Sequence, residues 1–314
     1  MTPRVTLAMP VYNGGKYIRA AIDSILAQDL GDFELIITDN ASTDATPDIC
    51  VELAGRDRRI RYVANPTNLG AAPNYNRGYE LAQGQYLKWC AHDDLISPNY
   101  VSACLAALEA DPTASLAYGR TQCIDHEGNA VAGEDNAEMA AILDEDPARR
   151  FLTAIARGGT CFPIFGLFRK ETLRRSTLHR PYYGSDRALI AEAALLGRCH
   201  LVPEAVFYNR EHPKRSIRMV DHAERRRWQS TTAGRAAAME HVGLLRHLFE
   251  IAGRHRDIAP VSATLALLGR YALAPRQIGR VALDLTRFAS PAAAASLRRM
   301  VVGSASRGSQ ATRS

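Results

Sequence analysis

Cysteine is sparse in this sequence, six residues in 314, with no C-x-x-C pair among them. Cys50, Cys90, Cys104, Cys123, Cys161 and Cys199 are scattered, most of them inside apolar segments. That spacing excludes a zinc ribbon and points to buried, reduced thiols in a cytoplasmic protein. Neither a Walker P-loop nor a G-x-G-x-x-G element follows the first strand-like segment, and "NGGKY" (Asn13–Tyr17) has the spacing of neither. A P-loop NTPase and a nicotinamide dehydrogenase are therefore not expected. No apolar run approaches the ~20 residues needed to span a bilayer. Arg4 leads directly into a strand-like stretch, so no secretory signal is expected.

Lysine is missing from one end. The segment from Asp221 to Ser314 has no lysine, 15 arginines and six acidic residues, a balance of +9, whereas the preceding 220 residues carry 24 basic and 27 acidic groups. Two readings fit this asymmetry: a C-terminal part that meets an anionic surface such as lipid headgroups, or arginine spread over solvated helix faces. On the first reading, helices bearing Arg225, Arg226, Arg227, Arg235, Arg246 and Arg254 beside Leu244, Leu245, Leu248 and Phe249 would lie in a membrane interface. No nucleic-acid partner is expected. The location expected is cytoplasmic, with peripheral contact on the inner face of the membrane as the alternative.

With 46% hydrophobic and 23% charged residues, the chain can bury a sizeable core in one large α/β domain or two smaller ones. "VTLAMPVYN" (Val5–Asn13) reads as a buried strand, followed by helical spacing at Ile18, Ala21, Ile22, Ile25 and Leu26. Further strands are predicted at Phe33–Asn40, Ile60–Pro66 and Gln85–Ala91, with helices from Thr46-Pro47 and over Ala72–Gln83. This alternation signals βαβ units and a largely parallel sheet. Beyond Asp111-Pro112 the pattern predicts two strands around a polar turn at Asp125–Asn129, then a strand and helix in "GTCFPIFGLFRKETLR". A helix capped by Ser185 follows, then a strand running into the basic loop "YNREHPKRS". From Asp221 the chain reads as helices broken near Pro260, Pro275 and Pro291, and the last dozen residues read as disordered.

Ligands of such sheets bind beyond the carboxyl ends of the strands. Each predicted strand turns polar there, at Tyr12-Asn13, Asp39-Asn40, Asn65–Asn68 and His92-Asp93-Asp94. The adjacent acids Asp93 and Asp94 repel each other, and the following helix has its own expected start at Ser97-Pro98, so they are surplus to capping. A divalent cation, Mn²⁺ or Mg²⁺, held by one or two carboxylates plus substrate phosphates would give them a use. Asp39 suits a base or ribose contact, and Tyr12 could lie against a base.

Three stretches, "MPVYNGGKYIRAAIDSILAQ", "FELIITDNASTDAT" and "NLGAAPNYNRGYELAQGQYLKWCAHDDL", together resemble glycosyltransferase family 2. The resemblance is strong over roughly the first 120 residues and weaker to about Ser216. It implies the GT-A fold, a Rossmann-like, mostly parallel sheet with flanking helices, here followed by a helical C-terminal extension. It implies transfer of a sugar, with inversion, from a nucleoside-diphosphate sugar (UDP first, dTDP or GDP as alternatives) to a hydroxyl acceptor. The acceptor would be a glycan, a glycolipid or a small molecule, and the enzyme would be of the hexosyltransferase type. Donor contacts implied are Pro10, Tyr12, Asn13, Asp39, Asn68, Gly70, Asn76, Asp93 and Arg210; Asp94 and His212 would hold the metal. Asp186, opening the helix in "YGSDRALIAEAALLG", is the implied general base, with Glu192 expected to face away from it. Lys214 and Arg215 are further implied phosphate contacts.

Two departures stand out. The family's Asp-x-Asp-Asp is here Cys90-Ala91-His92-Asp93-Asp94, and its Ala-Arg-Asn is Asn74-Tyr75-Asn76, without the arginine. Residues 1–120 are expected to form the donor-binding half, 121–220 the acceptor and base half, 221–302 the helical extension and 303–314 the tail. The competing readings are a sugar-nucleotide pyrophosphorylase, which needs a basic glycine-rich first loop, and a non-catalytic sugar-nucleotide sensor, which has no use for a base.

Overall fold

The computed structural model describes residues 2–132, 140–156, 161–213, 215, 218–219, 221–232 and 239–289. The first half alternates β1 (Val5–Val11), α1 (Ile18–Leu26), β2 (Phe33–Asp39), α2 (Thr46–Arg56), β3 (Ile60–Ala64), α3 (Ala71–Leu81) and β4 (Tyr86–Trp89). β1 is buried along its whole length, which is why it reads as a continuous apolar run rather than an alternating one. β1 pairs in parallel with β2 and β4, and β2 with β3, so the carboxyl ends of all four strands meet one edge.

The second half departs from a plain parallel sheet. It adds β5 (Leu95–Ile96), α4 (Tyr100–Ala110), β6 (Ala114–Ile124), α5 (Pro147–Ala156), β7 (Leu167–Arg169), α6 (Lys170–Arg175), α7 (Ser185–Leu196) and β8 (Arg198–Arg210). The strand order is β3-β2-β1-β4-β7-β6-β8-β5. β7 runs antiparallel to β4 and β6, β6 pairs in parallel with β8, and β5 pairs antiparallel with β8. Although β5 lies at one end of this order, it packs on α1, the helix that follows β1, so the sheet curls back on itself. That curl brings the end of β8 to the acids that follow β4.

Two helix starts differ from the sequence expectation. α4 begins at Tyr100 behind Asn99 rather than at Pro98. The Ser97 hydroxyl instead donates to Asn99 Oδ1 (2.7 Å) and accepts the Val206 amide (2.9 Å), tying β5 to β8. α7 is preceded by Gly184 in the left-handed region (φ 89°), and Ser185 is its first helical residue, with a buried hydroxyl that has no partner. The expected second strand of the Asp125–Asn129 turn shrinks to a single bridge between Ile124 and Ala130.

The C-terminal extension forms α8 (His222–Gln229), α9 (Glu240–Arg254), α10 (Val261–Ala272) and α11 (Pro275–Ala289). α9 buries Leu244, Leu248, Ile251 and Ala252 against Phe151 of α5, Ala188 and Leu195 of α7, and Tyr182. Leu244 and Leu248, placed at a membrane interface by the sequence pattern, are core residues; Leu245 is half-buried, and Phe249 is exposed. Of the arginines assigned to that interface, Arg225 donates to the Met219 carbonyl and Arg254 to the Arg175 carbonyl, whereas Arg235 lies outside the described residues. The expected tail, 303–314, also lies outside them.

If α9 is core, Leu248→Ala removes a fully buried side chain and costs about 2–5 kcal/mol of folding free energy in urea unfolding. Leu273, which is 73% exposed, serves as the control, and Leu273→Ala changes stability by less than about 0.5 kcal/mol.

Candidate active site

The rim of the crevice is built from the loops after β1, β2 and β3. Asn13 adopts a positive φ (53°), and its amide donates to Ser42 Oγ (2.9 Å) while its own Oδ1 accepts the Thr43 amide (2.8 Å). The Gly14 and Gly15 amides donate to Thr46 Oγ1 and Asp44 Oδ2, each at 2.9 Å. The turn after Pro10 is thus clamped to the loop after β2, leaving Tyr12 44% exposed as a free aromatic face at the rim. Gly14 has a second reason to be glycine: a Cβ there would lie 2.5 Å from the His92 ring.

Asp39 is almost fully buried at the end of β2, where Oδ2 accepts the Tyr62 hydroxyl (2.6 Å) and Oδ1 the Ser42 amide (3.0 Å). Beside it, Asn40 donates to Asn68 Oδ1 (2.9 Å) and accepts the Leu69 amide (2.9 Å), while Asn65 bridges Asn40 and Asn74. Asn68 therefore shapes its own loop. Gly70 has φ 89°, and a Cβ there would meet Ser230 Cα at 2.4 Å, so the end of α8 lies directly against this loop. The Thr231 amide donates to the Leu69 carbonyl, and Gln229 Nε2 to the Tyr182 carbonyl (2.9 Å). α8 accordingly joins the loop at 68–70 to the start of α7. Asn76 is engaged elsewhere, donating to the His179 carbonyl (2.9 Å) and accepting the His179 amide (3.1 Å).

The paired acids sit between β4 and β5, and the end of β8 reaches over them. The Arg210 amide donates to Asp94 Oδ1 (2.7 Å), and Arg210 Nε donates to the Asp93 carbonyl (2.8 Å). The same guanidinium holds the Asp125 carbonyl (3.0 Å) and lies over the Tyr17 ring. Arg210 is therefore a buried clamp at the base of the crevice. His212 Nε2 is hydrogen-bonded to Asp93 Oδ2 (2.9 Å), so that nitrogen is spent on the acid pair, and a metal would have to displace it or use the other one. Arg215 is bonded to Glu211 and Asn209, and Lys214 lies outside the described residues.

Burial works against charge on Asp93, but His92 and His212 outweigh it and hold the carboxyl down at about 2. Asp94 goes the other way: burial first, then the neighbouring Asp93 charge, raises it well above the ordinary carboxyl range. The pair therefore carries one charge easily and a second only with a compensating cation. Among the described residues no cluster of three or more His, Cys, Asp or Glu side chains could hold a metal ion. The donor set suits a hard divalent cation that takes one or two carboxylates from the protein and its remaining ligands from phosphates and water.

Asp186 lies in the first turn of α7, partly exposed, with Oδ1 accepting the Arg187 amide (2.9 Å). Its carboxyl is raised by burial, opposed by a hydrogen bond from the Cys161 thiol and by Arg187. Glu192 is buried on the far side of α7, accepting the Thr177 amide and bonding His255, and so faces away from Asp186 as expected. The Tyr75 phenol is raised by burial first, then by the charges of Asp93, Asp94 and Asp186. Its ring packs on His179 and Trp89. Tyr75 was missed as a site residue, although it stands where the family pattern has arginine. Tyr183, beside Trp228 (ring centroids 6.3 Å) and under Arg225 (4.6 Å), adds an aromatic wall near Asp186 that only the position of α8 reveals.

A curled α/β sheet with paired acids at its strand-end crevice has the layout of a GT-A glycosyltransferase, and solved structures of that fold superpose on it. Staphylococcus aureus TarS 1–349 in complex with UDP-GlcNAc matches with a TM-score of 0.60 at 17% identity, covering 91% of this chain and 80% of that one. The mannosyltransferase PcManGT from Pyrobaculum calidifontis, in complex with GDP-Man and Mn²⁺, matches with a TM-score of 0.52 at 20% identity, covering 96% and 88%. The family model for glycosyl transferase family 2 matches residues 6–174, and the chain belongs to that family. EpsH of Bacillus subtilis (strain 168) is 27% identical over 208 residues, 66% of this chain and 58% of that protein. The chondroitin synthase of Pasteurella multocida (strain Pm70) is 31% identical over 134 residues, 43% of this chain and 14% of that one. The chain thus spans only part of the length of these relatives.

An acid raised on folding binds its proton more tightly in the folded state, so Asp94 costs stability as pH rises above the ordinary carboxyl value of about 4. Without metal, Asp94→Asn therefore melts above the wild type at pH 8, with the difference closing toward pH 4. If the pair takes a divalent cation, added Mn²⁺ raises the wild-type Tm at pH 8 and leaves that of Asp94→Asn unchanged.

Proposed function

We propose that the protein is a metal-dependent, inverting glycosyltransferase that moves a sugar from a nucleoside-diphosphate sugar, UDP first among the nucleotides, to a hydroxyl acceptor. The observation that carries this reading is the acid pair Asp93 and Asp94 at the strand-end crevice, held by Arg210 and His212, to which we add Asp186 of α7 as a third carboxylate. A sensor would have no use for the third carboxylate, and "PVYNGGKY" does not supply the basic glycine-rich loop of a pyrophosphorylase.

The rim would hold the nucleotide: Tyr12 offers its exposed ring to the base, and Asn13 and Asp39 would meet base and ribose, Asp39 through a carboxylate oxygen that now accepts from Tyr62 or Ser42. Pro10, Asn68 and Gly70 set the shape of that rim rather than contributing free polar groups. Asp94 would hold a divalent cation, with Asp93 and His212 beside it; the ion, when bound, supplies Lewis-acid stabilisation of the departing diphosphate. Arg210 keeps the acid pair in place from behind.

Asp186 takes the proton from the acceptor hydroxyl. The anomeric carbon gains oxocarbenium character as the diphosphate leaves, and the acceptor oxygen attacks from the opposite face, inverting the centre. A carboxyl raised by burial is a stronger base than an exposed aspartate. The acceptor belongs to polysaccharide, glycolipid or natural-product glycosylation, and the Tyr183–Trp228 wall is the surface against which it would rest.

Purified protein is to be tested against a panel of nucleotide sugars, following release of the nucleoside diphosphate with Mn²⁺ and with a chelator. Mn²⁺-dependent release from at least one donor is expected. Asp186→Asn keeps the helix start but not the basicity, so it should retain donor binding while turnover falls roughly 10²–10⁴-fold. Unimpaired turnover in that variant, or full activity in chelator, contradicts the proposal.

A further inference from the structure

α11 is turned inside out for a helix at a water-facing surface. Its inward side is polar: Asp284 is buried and accepts the His241 and Val242 amides at the start of α9, and Gln277 is also buried. Its outward side is apolar. Ile278, Ala282, Leu285 and Ala289 follow the i, i+4, i+7 spacing of one helix face and are all exposed, Ile278 to 51% and Leu285 to 53%. Phe288 flanks that stripe, and Leu273, just before the helix, is 73% exposed.

The charge around this stripe has one sign. From Val261 to Ala289 the only acid is Asp284, which is buried and bridged to Arg287, whereas Arg270 and Arg276 are exposed. An aqueous surface would favour the opposite orientation, with the leucines inward. A second copy of the chain docked on this face would set Arg270 and Arg276 against their own kind with no exposed acid between them. A helix with an apolar face and arginine on its polar flanks, free of exposed acids, fits the interface of an anionic lipid bilayer. We propose that the α10–α11 face is a peripheral membrane-docking surface for anionic lipid. The apolar stripe would enter the headgroup boundary, with Arg270 and Arg276 at the phosphate level. This inference stands on the surface alone and does not depend on the glycosyl-transfer reading. Nor does it use α9, whose Leu244 and Leu248 are core.

The test is co-flotation of the full chain with vesicles of neutral phosphatidylcholine, or of phosphatidylcholine with about one-third phosphatidylglycerol. Expected is flotation with the anionic vesicles only, weakened by 0.5 M salt as charge is screened. The double variant Ile278→Glu/Leu285→Glu should reduce binding at least about 10-fold, since it replaces apolar contact with like-charge repulsion. Arg270→Gln/Arg276→Gln should reduce binding without abolishing it. Circular dichroism and melting temperature like wild type in each variant confirm that the surface, not the fold, has changed. No flotation with anionic vesicles overturns the proposal, as does equal flotation with neutral ones. Wild-type self-association that is lost in the Ile278→Glu/Leu285→Glu variant, without lipid binding, would assign the face to a second copy instead.

Discussion

Everything at the crevice depends on two adjacent carboxyls held in a place where they cannot both be charged comfortably. Asp93 and Asp94 follow a fully buried strand, and burial alone would neutralise them. The protein keeps one ionised through His92 and His212 and leaves the other raised, its Oδ1 accepting the Arg210 amide. That arrangement is costly unless something positive completes it, which is why we propose the pair as a site rather than an acidic turn. The curl of the sheet follows from the same need: β8 must return beside β5 so that Arg210 and His212 can reach the acids.

The first four strands were legible in the sequence because their signals are local. β1 to β4 are apolar runs ending in polar residues, and all four ends meet one edge as read. The acids after β4 were legible for the same reason. Less legible were features made by contacts distant in sequence. Arg210 and His212 read as parts of a loose basic loop, yet both are tied to Asp93 across more than 100 residues of chain. Asn76 and Gly70 looked like donor contacts, but one is spent on His179 and the other packs on Ser230. Helix starts failed where a nearby strand competed for the capping side chain, as at Ser97.

The C-terminal helices show how far amphipathic spacing can mislead. On α9 the leucines beside the arginines suggested a membrane face, but they fill a core shared with α5 and α7. The exposed apolar stripe lies on α11 instead, because Asp284 turns the polar side of that helix inward to hold the start of α9. A periodicity argument finds the two faces of a helix; only the neighbouring elements decide which one meets water. α8 belongs less to the extension than to the crevice, since its end bridges the loop at 68–70 and the start of α7.

The central claim is that one crevice holds the leaving diphosphate at the strand-end acids and activates an attacking oxygen from the opposite side through Asp186. Water can stand in for the acceptor during slow donor hydrolysis, so the most direct test follows the anomeric proton of the released sugar by NMR. With an α-linked nucleotide sugar and Mn²⁺, the β-anomer should be the first product, and its release should be suppressed in Asp186→Asn. Initial release of the α-anomer, or an unchanged rate in that variant, would contradict the account.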